Sequence, residues 1–97
     1  MIPKNRRPTP PGEILAEEFL RPMEMTQLRL AKKMGVPLQR VNELINGKRG
    51  VTAQTAVLLS RVFDTSDEFW MNLQTACDLF DARQSLPTQS RARRKAG

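Results

Sequence analysis

Between residues 26 and 50, forked and charged polar side chains recur at helical spacing: Gln39, Arg40, Asn42 and Glu43, preceded by Gln27 and followed by Asn46, Lys48 and Arg49. Gln, Arg and Asn can each make paired hydrogen bonds to a base edge in the major groove of a duplex, and a Glu accepts from the exocyclic amine of cytosine. Gln39, Arg40, Asn42 and Glu43 are therefore the candidates for base contact. Gln27, Asn46, Lys48 and Arg49 are the candidates for phosphate contact, which positions a protein without reading sequence. Two of the first group have competing roles. Asn42 also suits a local brace, and Glu43 repels phosphate. Asn46 with Gly47 doubles as a helix stop.

The charge balance supports a polyanionic partner. The chain carries 16 basic and 10 acidic residues, a net charge of +6. Residues 29–49 hold six basic residues against Glu43 alone, a balance of +5, whereas 11–82 as a whole come to −2. A basic stretch within a mildly acidic body marks a polyanion-binding face. Eight more basic residues lie at the two ends, within residues 1–10 and 83–97.

Other chemistries lack their reagents. With no His and only Cys77, a zinc site and imidazole acid–base catalysis are both excluded, and no cofactor motif occurs. A single cysteine forms no intramolecular disulfide and fits a reducing cytosol. Glu13, Glu17 and Glu18 are acidic but have no His or Tyr to work with; they suit the positive end of a first helix. At 97 residues and 39% hydrophobic, one small domain is expected, too small to wall a deep substrate cleft. Every apolar run is interrupted well short of a membrane span, and the charged N-terminus has no apolar segment behind it. A non-enzymatic, cytoplasmic binding protein is the expectation.

The elements that must carry these residues read as helices, with no strand pattern. Pro11-Gly12-Glu13 opens a first helix that Pro22 ends. Thr26 caps a second, with Leu30, Ala31 and Met34 on one face and Gly35 as its left-handed stop. A third begins at Pro37 and turns Val41, Leu44 and Ile45 inward, leaving Leu38, Gln39, Arg40, Asn42, Glu43 and Asn46 facing out. Thr52 caps a fourth through Phe63. Thr65-Ser66-Asp67-Glu68 forms a capping box for a fifth helix, running to about Arg83. Its apolar residues cover nearly two faces, so Phe69, Trp70, Leu73 and Phe80 are expected to meet a second copy of the chain, with core packing the alternative for Phe69 and Trp70. The domain is expected over 9–83 with the helix-turn-helix at about 26–50. It is flanked by a flexible basic arm over 1–8 and a disordered basic tail over 84–97.

Helix, Gly-containing turn and helix together match a DNA-reading helix-turn-helix. The sequence resembles the HigA family of antitoxins, within the lambda-repressor-like (XRE) class. The resemblance is carried by Pro11-Gly12-Glu13-Ile14-Leu15, Gln27-Leu28-x-Leu30-Ala31 and Gly35-Val36-Pro37. It continues through Asn42-Glu43-Leu44-Ile45-Asn46-Gly47-Lys48-Arg49-Gly50, Thr52-Ala53-x-Thr55-Ala56 and Ser66-x-Glu68-Phe69-Trp70-x-Asn72-Leu73-Gln74. It spans roughly residues 8–83. It departs at Pro10, where relatives often carry His, at Thr26, often Ser, and at Cys77, often aromatic.

The resemblance implies an all-α, five-helix domain with a long C-terminal dimerisation helix. It also implies a homodimer on a palindromic operator that represses its own operon and silences a HigB-like toxin, a RelE-like mRNA endonuclease. Some relatives set helix 1 against the toxin, which would give Glu13, Glu17 and Glu18 a second use. The alternatives are a solitary XRE-type regulator with no toxin partner, and an adaptor that no longer binds DNA.

Overall fold

Three hydroxyl caps set where the helices start. The computed structural model describes residues 6–86. Thr26 Oγ1 accepts from the Arg29 amide at 3.1 Å, Thr52 Oγ1 from the Thr55 amide at 3.3 Å, and Ser66 Oγ from the Phe69 amide at 3.0 Å. Each satisfies an N–H that the first turn leaves without an intrahelical partner. The helices they open are α2 (Gln27–Met34), α4 (Ala53–Phe63) and α5 (Asp67–Ser85). Between them, α3 (Leu38–Ile45) starts from Pro37, whose extended backbone precedes the first turn without a side-chain cap. Gly35, at φ 73°, adopts the left-handed conformation that closes α2.

The first helix, α1, is continuous but not uniform: Pro11–Ile14 and Arg21–Met23 are α-helical, and Leu15–Leu20 between them form a π-helical stretch. Pro22 therefore does not end the helix, which runs to Met23 and stops where Glu24 turns left-handed. The widened turn explains the tolerance. The Arg21 amide bonds the Ala16 carbonyl, five residues back, so the backbone leaves α-register just where the proline ring would crowd the Glu18 carbonyl. Five helices and no strand make up the described residues.

One core joins them. Leu15, Leu30, Val41, Ala56, Leu59 and Trp70 are essentially inaccessible and belong to a single cluster. Gly12 sets how closely α1 approaches α3: it is buried, and a Cβ there would overlap the Leu44 carbonyl oxygen and lie 3.1 Å from Ile45 Cα. Only a residue without a side chain permits that crossing.

Beyond the end of α1, three further boundaries differ from sequence expectation. The Thr65–Glu68 capping box does not form: Ser66 is the cap, and Thr65 Oγ1 instead accepts the Trp70 indole N–H at 2.7 Å. Helix α5 continues through Gln84 and Ser85, because nothing in the sequence stops it before Pro87. Leu86, preceding that proline, is extended (φ −94°, ψ 142°), as pre-proline sterics favour. The basic arm expected over 1–8 does not extend to residues 7 and 8. Arg7 grips Asp81 on α5 through two hydrogen bonds of 2.9 and 3.0 Å, and the Pro8 carbonyl accepts the Cys77 thiol at 3.4 Å. Residues 1–5 and the tail from 87 onward lie outside the described residues. Among the described residues no helix is long and apolar enough to cross a membrane.

Candidate nucleic-acid interface

Helices α2 and α3 pack through Leu30, Ala31 and Met34 on one side and Val41 and Leu44 on the other, all buried. With 3.6 residues per turn, burying 41 and 44 turns 39, 42 and 46 to the opposite side. Gln39, Asn42 and Asn46 are exposed there.

These side chains are tied to one another. Asn46 Nδ2 donates to Asn42 Oδ1 at 3.2 Å, and Asn42 Nδ2 donates to Gln27 Oε1 at 3.2 Å. The chain of amides runs from the last turn of α3 to the first residue of α2. Asn42 sits at its centre with one N–H and one oxygen lone pair uncommitted. Those two free positions are the pair that adenine's N7 and N6 amine would engage. Gln27, at the N-terminus of α2, uses only its oxygen in this chain, and its amide N–H donors make no hydrogen bond among the described residues.

A second knot lies on the adjoining edge. Glu43 Oε2 accepts from Gln39 Nε2 at 3.2 Å, and its Oε1 accepts from Arg49 Nε at 3.1 Å. The Arg49–Glu43 ion pair is half-buried on the Glu43 side, whose side chain is 27% exposed. Each carboxylate oxygen thus already accepts one bond, and Glu43 braces Gln39 and Arg49 while keeping one lone pair on each oxygen. It also withdraws part of Arg49's charge. Arg40 stands apart: about 100° around the helix from Gln39, half-buried toward the Leu44 edge, and in no ion pair among the described residues. Lys48 is exposed after the helix stop, as are Arg29, Lys32 and Lys33 on α2.

The exit from this unit has a support that the sequence reading missed. Gln74 on α5 accepts the Val51 amide N–H through Oε1 at 2.7 Å and donates through Nε2 to Asp78 at 2.9 Å. Val51 is buried, and the Gln74 amide lies about 3.0 Å from where a Gly50 Cβ would stand. Gln74 therefore fixes the strand of chain that leaves the helix-turn-helix. In the sequence it stands at the end of the Ser66–Gln74 motif that carries the family resemblance, and its only local physical signal is a Gln four residues before an Asp, which any solvated helix face can show.

The expected dimerisation residues separate by burial. Trp70 has no exposed surface: its ring packs 5.1 Å from Phe19 and 6.4 Å from Phe63, and its N–H is satisfied by Thr65. It belongs to the protomer core and cannot touch a partner directly. Phe69, 36% exposed, packs edge-on against Trp70, while Leu73 and Phe80 are half-buried. Leu79, at 47%, is the more open residue on this helix. On α1, Glu17 pairs with Arg21 at 3.0 Å, leaving Glu13 and Glu18 exposed. Cys77 is buried, which raises its thiol pKa. No group of three or more His, Cys, Asp or Glu among the described residues is placed to hold a metal ion.

Comparison with known proteins matches this geometry. The helix-turn-helix family profile covers residues 17–70. The chain is 44% identical over 87 residues to antitoxin HigA-1 of Vibrio cholerae serotype O1, spanning 89% of this chain and 81% of that protein. It is 42% identical over 84 residues to the uncharacterized HTH-type transcriptional regulator YbaQ of Escherichia coli K12, spanning 87% and 74%. The solved structure of Pseudomonas aeruginosa antitoxin HigA with the higBA promoter superposes with a TM-score of 0.79 at 42% identity, over 81% of this chain and 86% of that one. The chain belongs to the helix-turn-helix family and, within it, to the HigA antitoxins.

Proposed function

We propose that the chain is the antitoxin of a HigB/HigA-type module: a cytoplasmic, non-enzymatic homodimer that binds a palindromic operator, represses its own operon and neutralises a RelE-like endonuclease by direct contact. The observation that carries the DNA-binding part is the outward amide face of α3, whose hydrogen-bonding groups are oriented before any duplex arrives. Gln39 and Asn42 are the base readers, with Arg40 reaching from the flank. Gln27, Asn46, Lys48 and Arg49 position the backbone, and Glu43 holds Gln39 and Arg49 in place. Phe69, Leu73, Leu79 and Phe80 supply the dimer face, setting two recognition helices about 34 Å apart on successive major grooves. The solved HigA with its promoter supports the DNA reading, and kinship with HigA-1 supports the toxin reading.

A solitary regulator is the second reading, favoured by the likeness to YbaQ. Co-expression with the product of the adjacent reading frame separates the two. A stable complex and relief of that product's growth arrest support the antitoxin. A non-toxic neighbour that forms no complex leaves the regulator.

A further inference from the structure

Among the large apolar side chains left exposed, Leu38 is out of place. It is 46% exposed and is the first residue of α3, at the border between the inward Val41 and Ile45 and the outward Asn42. It has no capping role, since Pro37 precedes it at the cap position without any side-chain bond. Nor does its exposed surface contribute to the core. Leu38 and Asn42 are four residues apart, so they lie on one side of the helix, one turn from each other. The N-terminal residues of a recognition helix are the ones that reach base edges.

An apolar side chain can recognise only one feature of a major-groove edge, the C5-methyl group of thymine. We propose that Leu38 is a specificity-determining residue that packs on a thymine methyl next to the base read by Asn42, so that this turn of α3 selects A·T pairs. The inference rests on the DNA-binding reading above and adds to it a contact that hydrogen bonding does not describe.

Deoxyuridine tests this cleanly, because it keeps every hydrogen-bonding group of thymine and deletes only the methyl. Duplexes covering the DNA upstream of the chain's own coding sequence are prepared with thymines replaced one at a time by deoxyuridine. Affinities are measured for the wild-type chain and for Leu38→Ala. Alanine is a good helix former at this exposed first position, and unchanged thermal melting confirms that the fold is intact. The expected result is one position per half-site at which deoxyuridine weakens wild-type binding about fourfold, the scale of one buried methyl. At that position Leu38→Ala binds thymine and deoxyuridine duplexes equally. Two results overturn the proposal with the reading of α3 intact: a wild type insensitive to deoxyuridine everywhere, or a Leu38→Ala that keeps the wild-type ratio. A wild type that prefers none of these duplexes over random DNA overturns the reading of α3 as well, and the inference with it.

Discussion

The α2–α3 unit and helix α5 are built on opposite plans. On α3 the functional side chains are organised mostly by short-range bonds: Gln39 to Glu43, Asn46 to Asn42 and Glu43 to Arg49 are four or six residues apart, and the Asn42–Gln27 bond to α2 spans 15. Helix α5 works through contacts that the chain brings from far away. Arg7 reaches Asp81 across 74 residues, Cys77 meets Pro8 across 69, and Gln74 meets Val51 across 23. Local bonds orient the chemistry, and distant ones hold the frame that aims it. A change in the first region should therefore alter what is bound and leave stability intact, and a change in the second should do the reverse.

The largest effect is expected where the frame has no slack. Gly12→Ala drives a methyl into the Leu44 carbonyl at the α1–α3 crossing. Backbone must move, so a loss of about 3 kcal/mol is expected in denaturant unfolding, with DNA affinity falling only because α3 is displaced. Next comes Gln74→Ala, which strands the buried Val51 N–H. An unpaired buried donor costs about 1–3 kcal/mol, and hydrogen exchange at Val51 should accelerate while DNA specificity stays unchanged.

Glu43→Gln sharpens the comparison from the other side. Removing the carboxylate releases Arg49, so affinity for any duplex should rise, and the slope of log affinity against log salt should steepen by about 0.9 for each freed cation that meets a phosphate. A carboxylate that read cytosine would instead lose sequence preference.

The smallest effect concerns Asp81. Its hydrogen bonds with Arg7 hold its carboxyl below the ordinary range and raise the Arg7 guanidinium. A depressed carboxyl stabilises the fold above the unfolded-state pKa, near 3.9, and that stabilisation is lost as pH falls through the lower folded value. Arg7→Ala should remove this acid-limb difference. The pair is half-exposed, so about 1 M salt should remove most of it too.

The contrast also explains what the sequence made legible. Caps at Thr26 and Thr52, the Gly35 stop and the inward faces of α2 and α3 are encoded within a few residues of where they act, and all could be read directly, whereas the fifth helix's cap falls one residue later than the expected Thr65, on Ser66. So could the outward set on α3, since its periodicity follows from the buried Val41 and Leu44. Three features could not. Trp70 looks like a surplus aromatic on α5 until Phe19 and Phe63, from two other helices, are found around it. Glu43 looks unattached until Arg49 folds back onto it. The grip of Arg7 on Asp81 has no local signature at all.

The central claim is that α3 reads DNA through a face whose hydrogen bonds are set in advance, on a frame that does not depend on them. The most direct test is the Gln39→Ala/Asn42→Ala double variant, measured against the duplex upstream of the chain's own coding sequence and against random DNA, with thermal melting alongside. Preference for the specific duplex should fall at least about thirtyfold, since each paired base contact contributes about 1–3 kcal/mol, while melting stays that of the wild type. Unchanged preference for the specific duplex would contradict the claim, as would a preference lost only together with the fold.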